Sequence, residues 1–107
     1  MKQNFIHLID IAAMKLNAIA GNGTRLKDFI DIAHLSVKYS LNEMLRAYSK
    51  KYNSNPVMPL KAIVYYDDIN FDEPIKMARN ATFQWKPVEK RLQLMHRNPD
   101  EVFEGSF

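Results

Sequence analysis

Cysteine is absent from the 107 residues, which excludes a disulfide framework and any thiolate metal site. A reducing compartment is the natural setting for such a chain, and a cytoplasmic location is expected. No apolar run approaches the ~20 residues that a membrane span needs. The start, Met1-Lys2-Gln3-Asn4-Phe5-Ile6-His7, does not read as a signal peptide. Its apolar stretch is broken by His7 and Asp10, and no small-residue cleavage pattern follows. There are three glycines, at Gly21, Gly23 and Gly105. No glycine-rich phosphate loop can be built from that spacing. Excess charge is also scarce. The net charge of +3 is small, and the Lys and Arg side chains are scattered over every segment. A dedicated nucleic-acid binder carries a denser basic patch, so a nucleic-acid role is weakly supported.

What is present is ordinary globular usage, 47% hydrophobic and 25% charged, which argues against disorder. The length suits one domain, 1–107, with a modest core. Neither repeats nor low-complexity segments occur. Asn4 to His7 reads as a short strand or an extended lead-in. Leu8 to Ala20 reads as a helix rich in Ala, Leu, Met and Ile, ended by Gly21 and Gly23 in the left-handed conformation that a C-cap favours. Thr24 is expected to cap a second helix over Arg25–Tyr39, with Leu26, Phe29, Ile30, Ala33 and Val37 at helical spacing. Ser40 followed by Glu43 is a capping box opening a third helix, which should bury Leu41, Met44, Leu45 and Tyr48. A fourth helix is expected from Pro59 to about Asp67-Asp68, and a last one from Pro87 to Arg97, each opened by proline. The fold class is therefore all-α, four or five helices in a compact bundle, with at most one short N-terminal strand.

Lys15 stands out. Its neighbours at helical spacing are Ile11, Ala12, Ala18 and Ile19. An ammonium among aliphatic groups is costly unless it is paired or reaches water. A phosphate or carboxylate partner would satisfy it, and so would snorkelling along an apolar surface. Asp28 and Asp31, at i and i+3, share a helical face. Such a pair can position Lys15 or assist a nucleotide-bound metal. It can equally be a solvated acidic edge, favoured by the nearby helix N-terminus. Arg25 and Lys27 flank the Gly-Asn-Gly-Thr turn, where basic side chains and backbone donors would make a phosphate cradle. Lys27 and Asp31 also fit an i,i+4 surface pair. His7, His34 and His96 have no metal-ligand spacing and read as structural or surface groups. Asp67-Asp68 reads as a helix terminator. Tyr65, Tyr66, Phe71, Phe83 and Trp85 can stack on bases, or form the core and its rim.

Two segments carry a resemblance. Asp10-Ile11-Ala12-Ala13-Met14-Lys15-Leu16-Asn17-Ala18-Ile19-Ala20-Gly21 and Gly23-Thr24-Arg25-Leu26-Lys27-Asp28-Phe29-Ile30-Asp31-Ile32 together resemble the paired C-terminal motifs of the AbiEii/AbiGii nucleotidyltransferases, toxins of type IV toxin–antitoxin systems. The pattern is an "IAxxK" helix, a glycine-containing turn, then "RxKDxxDI/L". Val64-Tyr65-Tyr66-Asp67-Asp68 and Trp85 are also similar to family members. The resemblance implies that Lys15, Asp28 and Asp31 belong to a catalytic site and that Arg25 and Lys27 contact nucleotide.

The chain departs from the family in what it lacks. The family's metal site, a Gly-Ser or Gly-Gly turn followed by Asp-x-Asp, has no counterpart in this sequence, and Asn22 replaces a basic residue common in the turn. Magnesium held by carboxylates neutralises a triphosphate and orients the attacking oxygen. A complete family member would use magnesium and a nucleoside triphosphate, whereas no cofactor is expected for this chain alone. The expectation is a truncated or split nucleotidyltransferase-like toxin domain, inactive by itself. The alternative is a non-enzymatic helical protein-interaction module. The partners expected are a second copy, a separately encoded N-terminal half or an antitoxin, with no membrane. Loss of the other half is expected to expose Ile9, Ala13 and Leu16 of the first helix, with parts of the fourth, and to drive dimerisation.

Overall fold

The structure, a computed structural model, describes residues 7–77, 82–105 and 107. The expectation of an extended segment at Asn4–His7 falls largely outside them. The described residues form five helices and no strand: α1 (Leu8–Gly21), α2 (Leu26–Leu35), α3 (Leu41–Tyr52), α4 (Val57–Ala62) and α5 (Trp85–Arg97). The protein is an all-α bundle. Helix α1 is its centre, packed on α3, α2 and α4, while α5 closes over α2.

The capping box holds as the sequence implies. Glu43 N donates to Ser40 Oγ at 3.1 Å and Ser40 N donates to Glu43 Oε1 at 2.8 Å. Helix α3 buries Leu41, Met44, Leu45 and Tyr48. It ends at Asn53 with φ 51°, a left-handed residue that asparagine tolerates better than most.

Other boundaries differ from expectation, each for a local reason. Helix α1 ends at Asn22, in extended backbone, whose N–H donates to Ala18 O at 2.8 Å; Gly21 and Gly23 are not left-handed. Helix α2 is not capped by Thr24. Its N-cap is Arg25, with no side-chain cap of its own. The cap comes from far along the chain: Leu26 N donates to Glu73 Oε1 at 2.8 Å, while Asn70 N donates to Thr24 O at 2.8 Å. Helix α2 also stops at Leu35, four residues short of Tyr39. Ser36, Val37 and Lys38 donate three residues back instead, Ser36 Oγ bonds Ala33 O at 2.6 Å, and Val37 is exposed. Arg91 Nη1 then donates to Ser36 Oγ at 2.8 Å, tying α5 to this turn. Helix α4 is shorter and earlier than expected, and α5 begins two residues before Pro87. In both, proline takes the third helical position rather than the first. The first-turn N–H groups have no intrahelical acceptor, so its missing donor costs little there.

The exposure expected of the first helix is not found, although the fourth does expose Val57 and Met58. Ala13 and Leu16 are fully buried and Ile9 is partly buried, because α1 is wrapped by α3, α2 and α4 rather than left open on one side. The apolar side chains that α1 does expose are Leu8 and Met14, with Met58 of α4 and Tyr65 beyond it also open.

Candidate functional site

The site is built where α1 passes α2. Lys15 lies midway along α1, beside buried Leu16 and one turn from buried Ala12. Helix α2 opposes it with Asp28 and Asp31, one helical turn apart. The three side chains meet. Lys15 Nζ lies 3.1 Å from Asp28 Oδ1 and 3.1 Å from Asp31 Oδ2. Asp31 Oδ1 takes a second cation, Lys27 Nζ, at 3.1 Å. The sequence left Lys15 between snorkelling and pairing; the structure pairs it.

Exposure grades across this network. The Asp28 side chain is 2% exposed, Lys15 23%, Asp31 25% and Lys27 58%. Asp28 is therefore a buried carboxylate, and Lys15 is its cation. Asp28 Oδ2 is buried with no hydrogen-bond partner among the described residues. Partial burial pulls the Lys15 pKa down, and the hydrogen bonds and charges of Asp28 and Asp31 outweigh it, so the net shift is upward. Lys15 stays charged at any physiological pH. An ammonium has three donors. Asp28 accepts a hydrogen bond from it at 3.1 Å, and Asp31 adds an ion pair at the same distance.

The expected phosphate cradle at the start of α2 is organised differently. Arg25 is exposed at the N-cap position, and Lys27 points to Asp31. The Glu73 carboxylate already takes the Leu26 N–H. Sequence reasoning missed Glu73 because it lies 47 residues away from its partner. Of the five residues singled out, the structure joins Lys15, Asp28, Asp31 and Lys27 into one network and leaves Arg25 at its edge.

Lys27 and Asp31 also line a hollow of about 330 Å³. Ile30, Val88, Phe83 and Phe107 are among its lining residues, and the Arg91 guanidinium sits over the Phe107 ring at 4.8 Å. The three histidines are exposed, and His34 meets Phe107 edge-on at 4.7 Å. The later aromatic residues form a chain of edge-on contacts, Phe29 to Tyr66 to Trp85 to Phe71, which is core and rim. No group of three or more His, Asp or Glu side chains stands close enough to hold a metal ion among the described residues. No helix of the structure is long and apolar enough to cross a membrane. No family profile, curated protein or solved structure matches the chain.

Proposed function

We propose that this chain is a nucleotidyltransferase-like helical domain, truncated or split from its metal-bearing half, in which Lys15 grips the phosphates of a nucleoside triphosphate. The supporting observation is the clamp itself: one lysine held at 3.1 Å by both Asp28 and Asp31. Lysines on helix surfaces are usually free to swing. Here two carboxylates fix the ammonium and keep it charged. A preorganised cation of this kind binds phosphate without first losing side-chain freedom. Lys27, bound to the same Asp31, adds a second cation to the approach. In this reading the chain works in the cytoplasm, and magnesium arrives with the nucleotide on carboxylates of a separately encoded partner. An antitoxin is the further partner that a type IV toxin implies.

Alone, the chain should transfer no nucleotide. The test is radiolabel transfer from nucleoside triphosphates with magnesium, to transfer RNA or protein. The chain is assayed by itself and with a second chain carrying the Gly-Ser and Asp-x-Asp motifs. Label that appears with the mixture and vanishes on Lys15→Gln, in a variant that circular dichroism shows to be folded, supports the proposal. Label produced by the chain alone and lost on that substitution overturns the idea of half a site.

A second reading, a non-enzymatic interaction module, is favoured by a different surface. Met58 is 58% exposed and Tyr65 is 52% exposed. They border a shallow apolar hollow with Ala20 and Ala62. Light scattering over a dilution series separates a self-associating module from a monomer that binds nucleotide.

A further inference from the structure

We propose that Arg91 and the turn after α2 form a docking site for a peptide segment with two aromatic side chains four residues apart, covered in this structure by the chain's own Phe103–Phe107 stretch acting as a strap. The site is built on one half-buried guanidinium. Arg91 Nη1 donates to Ser36 Oγ at 2.8 Å, and Ser36 is buried, so the guanidinium is held against the end of α2. Two rings meet it. Its Cζ lies 5.0 Å from the Phe103 ring centroid and 4.8 Å from that of Phe107. Two further bonds seat the main chain: Phe103 N donates to Ser36 O at 2.8 Å, and Arg91 Nη2 donates to Gly105 O at 3.2 Å. Among the described residues no carboxylate pairs with Arg91. Its attraction is therefore directed to ring faces and a carbonyl, the groups that an extended aromatic segment presents.

Three features mark the strap as a displaceable occupant rather than as core. It is open to solvent: Glu104 and Gly105 are exposed, and Phe107 is 37% exposed. The space around its last ring is not filled. The edge-on pair His34–Phe107 borders two hollows, of about 330 and 250 Å³. The chain just before it is anchored separately, since Asn42 N donates to Pro99 O at 2.8 Å and Asn42 Nδ2 donates to Asp100 Oδ1 at 2.7 Å. Residues 103–107 can thus leave, pivoting at exposed Glu101 and Val102, while α3 and α5 stay packed. A partner segment with the same ring spacing would make the same contacts. It has to displace a strap whose effective concentration is on the order of millimolar, because the strap belongs to the same chain.

The experiment follows the Arg91 Nε–H signal of the full chain by NMR, assigned by its loss in Arg91→Lys. The wild type and a full-length variant with the site vacated, Phe103→Ala with Phe107→Ala, are each titrated with a synthetic peptide of residues 101–107 with blocked ends. A control peptide carries leucine at both phenylalanine positions. Circular dichroism checks that the variant is folded. Phe107 is exposed, so Phe107→Ala alone is a mild change that serves if the double variant unfolds. The expected result is a saturable shift of the Arg91 signal in the vacated variant, on the order of tenfold weaker with the leucine peptide, as two lost cation–π contacts imply. The wild type should bind the same peptide more weakly than the variant does. No saturable shift in the folded variant at millimolar peptide would overturn the docking site. Equal binding of the two peptides would overturn ring recognition by Arg91. Wild type and variant binding equally tightly would show that residues 103–107 do not cover the site, and would overturn the strap.

Discussion

The Glu73 carboxylate caps helix α2 by accepting a hydrogen bond from Leu26 N at 2.8 Å, across 47 residues of sequence. A carboxylate at a helix N-terminus satisfies an orphan donor and meets the positive end of the helix dipole. The contact also anchors the 66–77 segment to the start of the helix that carries Asp28 and Asp31.

Glu73→Ala should therefore destabilise the fold by about 1 kcal/mol, the usual cost of losing an N-cap. Glu73→Gln, which keeps an acceptor, should cost less. Urea unfolding measures both. Hydrogen exchange at Leu26 N should rise in the alanine variant, and unchanged exchange would mean that another group caps this helix.

Lys15 and Asp28 should be energetically coupled. Lys15→Met leaves the Asp28 carboxylate buried with only weak compensation, and breaking such a pair typically costs about 3–5 kcal/mol. Lys15→Met combined with Asp28→Asn should recover a substantial part of that loss, because no charge is then stranded. A double-mutant cycle in urea reads the coupling directly. Strictly additive losses would mean that the 3.1 Å contact contributes no net interaction.

Alkaline pH should unfold the protein early. Burial pushes the Tyr66 hydroxyl up to about 12 from 10.0, with the Glu89 charge adding to the effect. The unfolded chain therefore ionises this tyrosine first, and stability falls as pH rises from 10.0 towards about 12. Lys15 acts in the same direction. Its folded pKa lies above the ordinary 10.5, so its contribution is complete below that value and is lost as pH rises through the folded pKa. Urea midpoints between pH 8 and 11 should be flat and then decline. Tyr66→Phe should shallow the decline, and an unchanged slope would remove Tyr66 from the account.

The fold was legible where a signal is local. The Ser40–Glu43 capping box and the buried face of α3 follow from residue types at helical spacing, whereas the pairing of Lys15 with Asp28 was only one of the readings that spacing left open. What was hidden depends on distant partners. No local pattern shows that Glu73 caps α2 in place of Thr24, or that the turn after Leu35 is held by Arg91. The position of proline in α4 and α5 was misjudged because any first-turn position tolerates it. The burial of Ala13 and Leu16 was missed for a related reason. Periodicity gives an apolar face but not the number of helices that will cover it. Within the site, the acid pair and both lysines were legible as chemistry, while the hollow beside them is lined by α2, the 75–77 and 82–84 stretches, α5 and Phe107, and exists only in three dimensions.

The most direct test of the central claim is lysine side-chain NMR of the intact protein titrated with tripolyphosphate. Slow solvent exchange of a carboxylate-clamped ammonium should make the Lys15 Nζ signal observable, with assignment by its loss in Lys15→Arg. The account predicts a saturable shift of that signal, together with that of Lys27, while exposed Lys50 and Lys51 at the end of α3 stay still. A Lys15 signal that does not move at saturating ligand, or that moves no more than those of Lys50 and Lys51, would contradict the claim that this clamped lysine is a phosphate grip.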